Sequence, residues 1–190
     1  ALGVRLLDIT GNQINRGGGS LSSLSSIDSS AIDSRLQDIS FEIACDVDNP
    51  LLGSKGASVI FAPQKGADSE MIAQLDANLT HYSDILTSTI KKDVSEVPGS
   101  GAAGGIASAF LAFLNAELKS GISIVLEAID FEHHIEGADL VITGEGCFDS
   151  QSIRGKAPIG VAKCAKKNRC LVFVIAGSVA DDEGLMHKND

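Results

Sequence analysis

The residues best suited to chemistry fall in three places. The first is GEGCFDSQSIRGK, residues 144–156, which joins an apolar run to a helix-like run. Gly144 and Gly146 allow close backbone approach, Glu145 and Asp149 are carboxylates, Gln151 is a neutral donor, and Lys156 is a cation. A phosphate carrying magnesium asks for this mixture: cationic donors for the phosphoryl oxygens, carboxylates and water for the metal. The same composition also suits a polar surface turn. The second place is CDVDNP, where Asp46 and Asp48 alternate and Pro50 holds Asn49 extended. Metal ligation, deprotonation of a hydroxyl and plain Asx-turn chemistry all suit that spacing. The third is Lys65, in the turn PQKGA, either a binding cation or a solvated side chain.

Other patterns carry less. Gly99, Gly101 and Gly104 formally match G-x-G-x-x-G, but DVSEVP before them is not the apolar strand that a dinucleotide fingerprint needs. Close packing of a helix start is the reading, with anion binding second. No P-loop pattern occurs. His133 and His134 are adjacent, so they do not share a helix face, and zinc is not expected. Cys147 sits within the polar loop as a possible reactive thiol.

The elements that must position these residues follow from periodicity. Residues 4–9, 39–47 and 57–62 read as strands. Residues 17–30, rich in Gly and Ser, read as a surface loop, with Leu21, Leu24 and Ile27 leaving a short packed helix open. A long amphipathic helix is predicted over residues 69–92, capped by Asp68 or Ser69, with Lys91 and Lys92 at its C-terminal dipole. Residues 98–118 predict a buried helix with a crowded first turn; residues 122–129 and 131–136 also read as helical. A strand over 139–143, a helix over 156–167 and a strand over 171–176 form the unit of a parallel sheet. A boundary near Gly137 is expected.

Totals exclude several function classes. The chain has 190 residues and a net charge of −10, with 15 Lys and Arg against 25 Asp and Glu. No basic cluster or aromatic platform marks a nucleic-acid partner. No apolar run nears the ~20 residues that span a bilayer, so no membrane partner is expected. The four cysteines have no C-x-x-C spacing, which fits a reducing, cytoplasmic setting. A start at Ala1 within a strand-like run reads as a piece of a longer protein.

Three segments, CDVDNPLLGSKGASVIFAPQKGA, PGSGAAGGIASAFLAF and ADLVITGEGCFDSQSIRGKAPIGVA, closely resemble the type 1 glycerate kinase family, in order and over almost the whole chain. The resemblance implies ATP-dependent, magnesium-assisted phosphorylation of D-glycerate, with 2-phosphoglycerate favoured. It implies an α/β fold: residues 1–136 as most of an inserted mixed α/β domain, and residues 137–190 as part of a flavodoxin-like parallel αβα domain. It leaves a homodimer open. Its implied roles are catalytic for Asp149, Lys156 and Asp46. Gly144, Glu145, Gly146, Gln151 and Lys65 are implied to bind substrate or nucleotide, and Asp48 and Asp149 the metal. The family loop usually has a basic and then an aliphatic residue where this chain has Cys147 and Phe148. The resemblance also admits an inactive binding or structural piece of such an enzyme.

Overall fold

The computed structural model describes residues 2–148 and 156–180. The chain divides into two compact units, Ala1–Leu118 and Lys119–Asp190.

In the first unit, β1 (Arg5–Leu7) pairs antiparallel with β2 (Ser26–Asp28), Leu6 opposite Ile27. A 3-10 turn, Gly18–Ser23, precedes β2, so the Gly/Ser-rich stretch is ordered and buries Leu24 and Ile27. The short strand β3 (Glu42–Ala44) pairs with β4 (Glu117–Lys119). The strand expected over 39–47 is therefore only three residues long, because its partner offers no more.

The strand expected over 57–62 is instead the helix α1 (Ala57–Phe61). A six-residue apolar run has no periodicity that separates the two states. Tertiary anchoring decides it. Leu51 is wholly buried, Ala57 N–H donates to Leu51 O at 3.1 Å, and Ala57 and Ser58 are buried. Gly56 makes the entry possible, since a Cβ there would lie 2.4 Å from the Leu52 carbonyl carbon.

Helix α2 (Ser69–Ile90) forms as its stripe predicts. Asp68 Oδ1 accepts the Met71 N–H at 2.9 Å, and Lys91, left-handed at φ 59°, closes the C-terminus on Thr87 O. Its inner face buries Leu79, Tyr82 and Leu86. Asn78 donates to the carbonyls of Gly18 and Gly19 at 3.0 and 3.3 Å, and His81 Nε2 pairs with Leu24 O at 2.7 Å. These bonds fasten the 3-10 turn onto α2. Helix α3 (Ala102–Phe113) is broken near its start by three left-handed residues, Ala103, Gly104 and Gly105.

The second unit holds α4 (Gly121–Ala128), α5 (Phe131–His134), β5 (Leu140–Phe148), α6 (Ala157–Lys167) and β6 (Leu171–Val179). β5 and β6 are parallel, Leu140 opposite Leu171 through Phe148 opposite Val179, as the strand–helix–strand pattern predicts. Ile135, Ala165 and Cys170 form its small core. The expected turn at Gly144 is a continuation of β5, because β6 supplies a ladder that outweighs glycine's weak strand preference. The class is α/β.

Candidate functional site

In the second unit, Gly144, Glu145 and Gly146 lie on the carboxyl half of β5, where parallel strands present ligands. The crowded glycine at this end is Gly177 of β6, where a Cβ would stand 2.8 Å from Gly146 O; a Cβ on Gly146 would meet nothing within 4 Å. Glu145 is half-buried, and its Oε1 accepts the Gly146 N–H at 3.0 Å. Lys156 is the residue just before α6, with its carbonyl accepting from Ile159 and Gly160 at 3.1 and 3.3 Å. Pro158 in the first turn is buried. The fold therefore brings Glu145 and Lys156 to the same end of the parallel unit. Asp149 and Gln151 lie outside the described residues. Cys147 is exposed and not in a disulfide.

In the first unit, Asp46 and Asp48 are exposed on the extended segment after β3. The turn chemistry beyond them is structural. Asn49 Nδ2 donates to Lys55 O at 2.8 Å, Leu51 N–H to Ser95 O at 2.8 Å, and Gly101 N–H to Asn49 O at 3.0 Å. The glycines of GSG hold this loop: a Cβ on Gly101 would meet Pro50 O at 2.2 Å, and one on Gly99 would meet Cys45 Sγ at 2.9 Å. Close packing, not dinucleotide binding, accounts for them.

Lys65 closes the Pro63–Lys65 turn and is exposed. It lines a cleft of about 610 Å³ within the first unit, together with Arg16, Ser58 and Tyr82. Asp46 and Asp48 do not line it. Burial pushes the Tyr82 phenol above its ordinary value, with the Ser108 contact acting weakly the other way. Arg16, Ser58 and Tyr82 were not legible as site residues. Ser58 sat in a supposed strand, Tyr82 in a core stripe, and Arg16 carried no pattern. Among the described residues, no three His, Cys, Asp or Glu side chains gather as a metal-ligand group.

Fold and site together define an α/β protein with a glycine-bearing parallel strand end and a lysine at the following helix start. The glycerate kinase family model matches residues 1–190, and the chain belongs to that family. It is 56% identical over 189 residues to the glycerate 2-kinase of Escherichia coli K12, covering 100% of this chain and 50% of that protein. It is 51% identical to the glycerate kinase of Bacillus subtilis 168, covering 100% of this chain and 50% of that protein. A crystal structure of a candidate glycerate kinase 2 from Salmonella typhimurium LT2 superposes with a TM-score of 0.83 at 48% identity, over 95% of this chain and 50% of that one. The chain thus spans about half the length of the relatives it matches.

Proposed function

We propose that this chain is part of an ATP-dependent glycerate kinase, phosphorylating D-glycerate with 2-phosphoglycerate as the favoured product. The observation that carries the reading is the family match over all 190 residues to relatives named glycerate kinase and glycerate 2-kinase. The glycerate hydroxyl oxygen attacks the γ-phosphorus and its proton passes to Asp46. The bond from that phosphorus to the bridging oxygen breaks, and ADP leaves. Lys156 receives phosphoryl charge beside the N-terminal end of α6. Gly144, Glu145, Gly146, Gln151 and Lys65 hold nucleotide or glycerate.

Asp48 and Asp149 are the proposed holders of magnesium, which supplies charge neutralisation at the phosphoryl oxygens when bound. Magnesium is commonly carried by phosphates, water and one or two carboxylates, the chemistry Asp48 offers on an exposed segment; Asp149 lies outside the described residues. The proposal places residues 1–136 in an inserted mixed α/β domain and residues 137–190 in a flavodoxin-like one. The β5–α6–β6 unit lies beyond Gly137, while the division into compact units falls earlier, at Leu118 and Lys119, and gives α4 and α5 to the second unit. A cytoplasmic location and small-molecule partners belong to the same reading.

The half-length coverage favours a second reading, an inactive binding piece of such an enzyme. ADP release coupled to D-glycerate, measured on this chain and on a full-length protein containing it, separates the two. Activity in both supports the kinase within this chain; activity only in the longer protein makes the chain a component. Activity in neither overturns the kinase reading. In the active form, Lys156→Ala is expected to raise KM for ATP at least tenfold, and unchanged kinetics remove Lys156 from the site.

A further inference from the structure

The cleft that Lys65 lines has a chemistry of its own. It runs between α1, α2, the loop after β1 and the left-handed turn at Ala103–Gly105, all within the first unit. Most of its wall is apolar, with Leu6, Phe61, Leu79 and Ile106 among the contributing side chains. Its charged lining residues are Arg16 and Lys65, and no Asp or Glu lines it. That is unusual in a chain with 25 acids against 15 bases. Both cations are exposed, and among the described residues neither is ion-paired.

A second feature points to a ligand. Ser58 is only 5% exposed and lines the cleft, yet its hydroxyl has no hydrogen-bond partner among the described residues. Ser58 is the second residue of α1, where no preceding helical turn offers its hydroxyl a carbonyl. The Ser58 oxygen is not among the solvent-excluded unpartnered atoms, so it faces the open cleft and is available to an occupant. Tyr82, 8% exposed, is similarly underused. Its hydroxyl has Ser108 Oγ as partner at 3.5 Å, while Ser108 has the Gly105 carbonyl much nearer at 2.6 Å.

Size and polarity select the occupant. Pockets of roughly 300–1,000 Å³ hold drug-sized ligands, and a three-carbon acid would leave most of this one empty. An apolar wall suits a planar heterocycle; hydroxyls facing the cleft suit its polar edge or a sugar; two cations lining the same cleft suit a polyphosphate. We propose that this cleft is a nucleotide-binding site, with the base against the apolar wall and Ser58 and Tyr82, and the phosphates at Arg16 and Lys65. The choice of a nucleotide over other anions with apolar bodies rests on the kinase reading.

The test is a titration of the chain with a fluorescent N-methylanthraniloyl ADP, competed by unlabelled ADP. Saturable binding is expected, weakening steeply with salt. Arg16→Glu combined with Lys65→Glu changes only exposed side chains and is expected to weaken binding at least tenfold. Ala109→Trp, which fills the cleft, is expected to do the same. Circular dichroism of each variant verifies that the fold is retained. No binding to the chain, or unchanged affinity in both folded variants, overturns the proposal. Inorganic pyrophosphate competing as well as ADP overturns the place given to the base. Glycerate-dependent ADP release that survives in both variants with unchanged affinity removes the nucleotide from this cleft but leaves the kinase reading standing. Nucleotide binding that the variants abolish, in a full-length protein without glycerate turnover, does the reverse.

Discussion

Replacing Gly101 by alanine tests how the loop CDVDNP is held. Gly101 has φ −78°, a conformation alanine adopts freely, so the cost is contact alone. The new Cβ would stand 2.2 Å from Pro50 O and 3.1 Å from Asn49 O. Ordinary carbon–oxygen contacts begin at about 3.3 Å, so the two loops must separate by about 1 Å. Forcing such overpacking costs about 1–3 kcal/mol. The same displacement strains the 3.0 Å bond from Gly101 N–H to Asn49 O, worth about 0.5–1.5 kcal/mol. A total near 2–4 kcal/mol is expected, which lowers Tm by roughly 4–16 °C for a chain of this size. Urea unfolding followed by circular dichroism and by emission of Tyr82, the one tyrosine in a chain without tryptophan, measures it. Gly104→Ala is the control. Gly104 has φ 74° and nothing within 4 Å of a new Cβ, so only left-handed strain of about 1–2 kcal/mol remains. A Gly101→Ala midpoint equal to the unmodified chain's, or one above that of Gly104→Ala, refutes the reasoning.

Two further outcomes follow from the first unit. Alkaline titration of phenolate absorbance reads Tyr82 alone, and its midpoint is expected above the ordinary value near 10 because burial disfavours the phenolate. The unfolded phenol then loses its proton first, so this contribution to stability is full below about pH 10 and is lost as pH rises through the folded value. A midpoint at or below 10 contradicts that burial. Asn78→Ala removes the donor to the carbonyls of Gly18 and Gly19 and is expected to cost about 1–3 kcal/mol, with faster amide exchange across the Gly18–Ser23 turn. Unchanged urea midpoint and exchange would show that the turn does not depend on α2.

Legibility in the sequence varied with the length of the signal. The stripe of α2 repeats over 22 residues, and both the helix and its Asp68 cap were readable. The parallel β5–α6–β6 unit was readable because two apolar runs flank one amphipathic run. ASVIFA was misread: its Val, Ile and Phe favour a strand locally, and only the docking of Leu51 and Ala57 against the core makes it α1. The run before the GSGAAG glycines is not a strand, as read, but the contact of Gly101 with Pro50 depends on a loop fifty residues earlier.

The site divides in the same way. Residue order alone put Glu145 and Lys156 at one end of a strand–helix junction, because neighbours in sequence across a parallel crossover are neighbours in space. The cleft was invisible for the opposite reason. Arg16, Ser58, Lys65, Tyr82 and Ala103 sit on different segments, and of these only Lys65 stood out in the sequence as a candidate site residue. By itself the sequence determined the α/β class, the long helix and the composition of the glycine-bearing strand end, all set by local periodicity and nearest-neighbour spacing. Tertiary structure alone decided which cations line one cleft and which hydroxyl faces it, because those depend on packing between segments that local pattern does not encode.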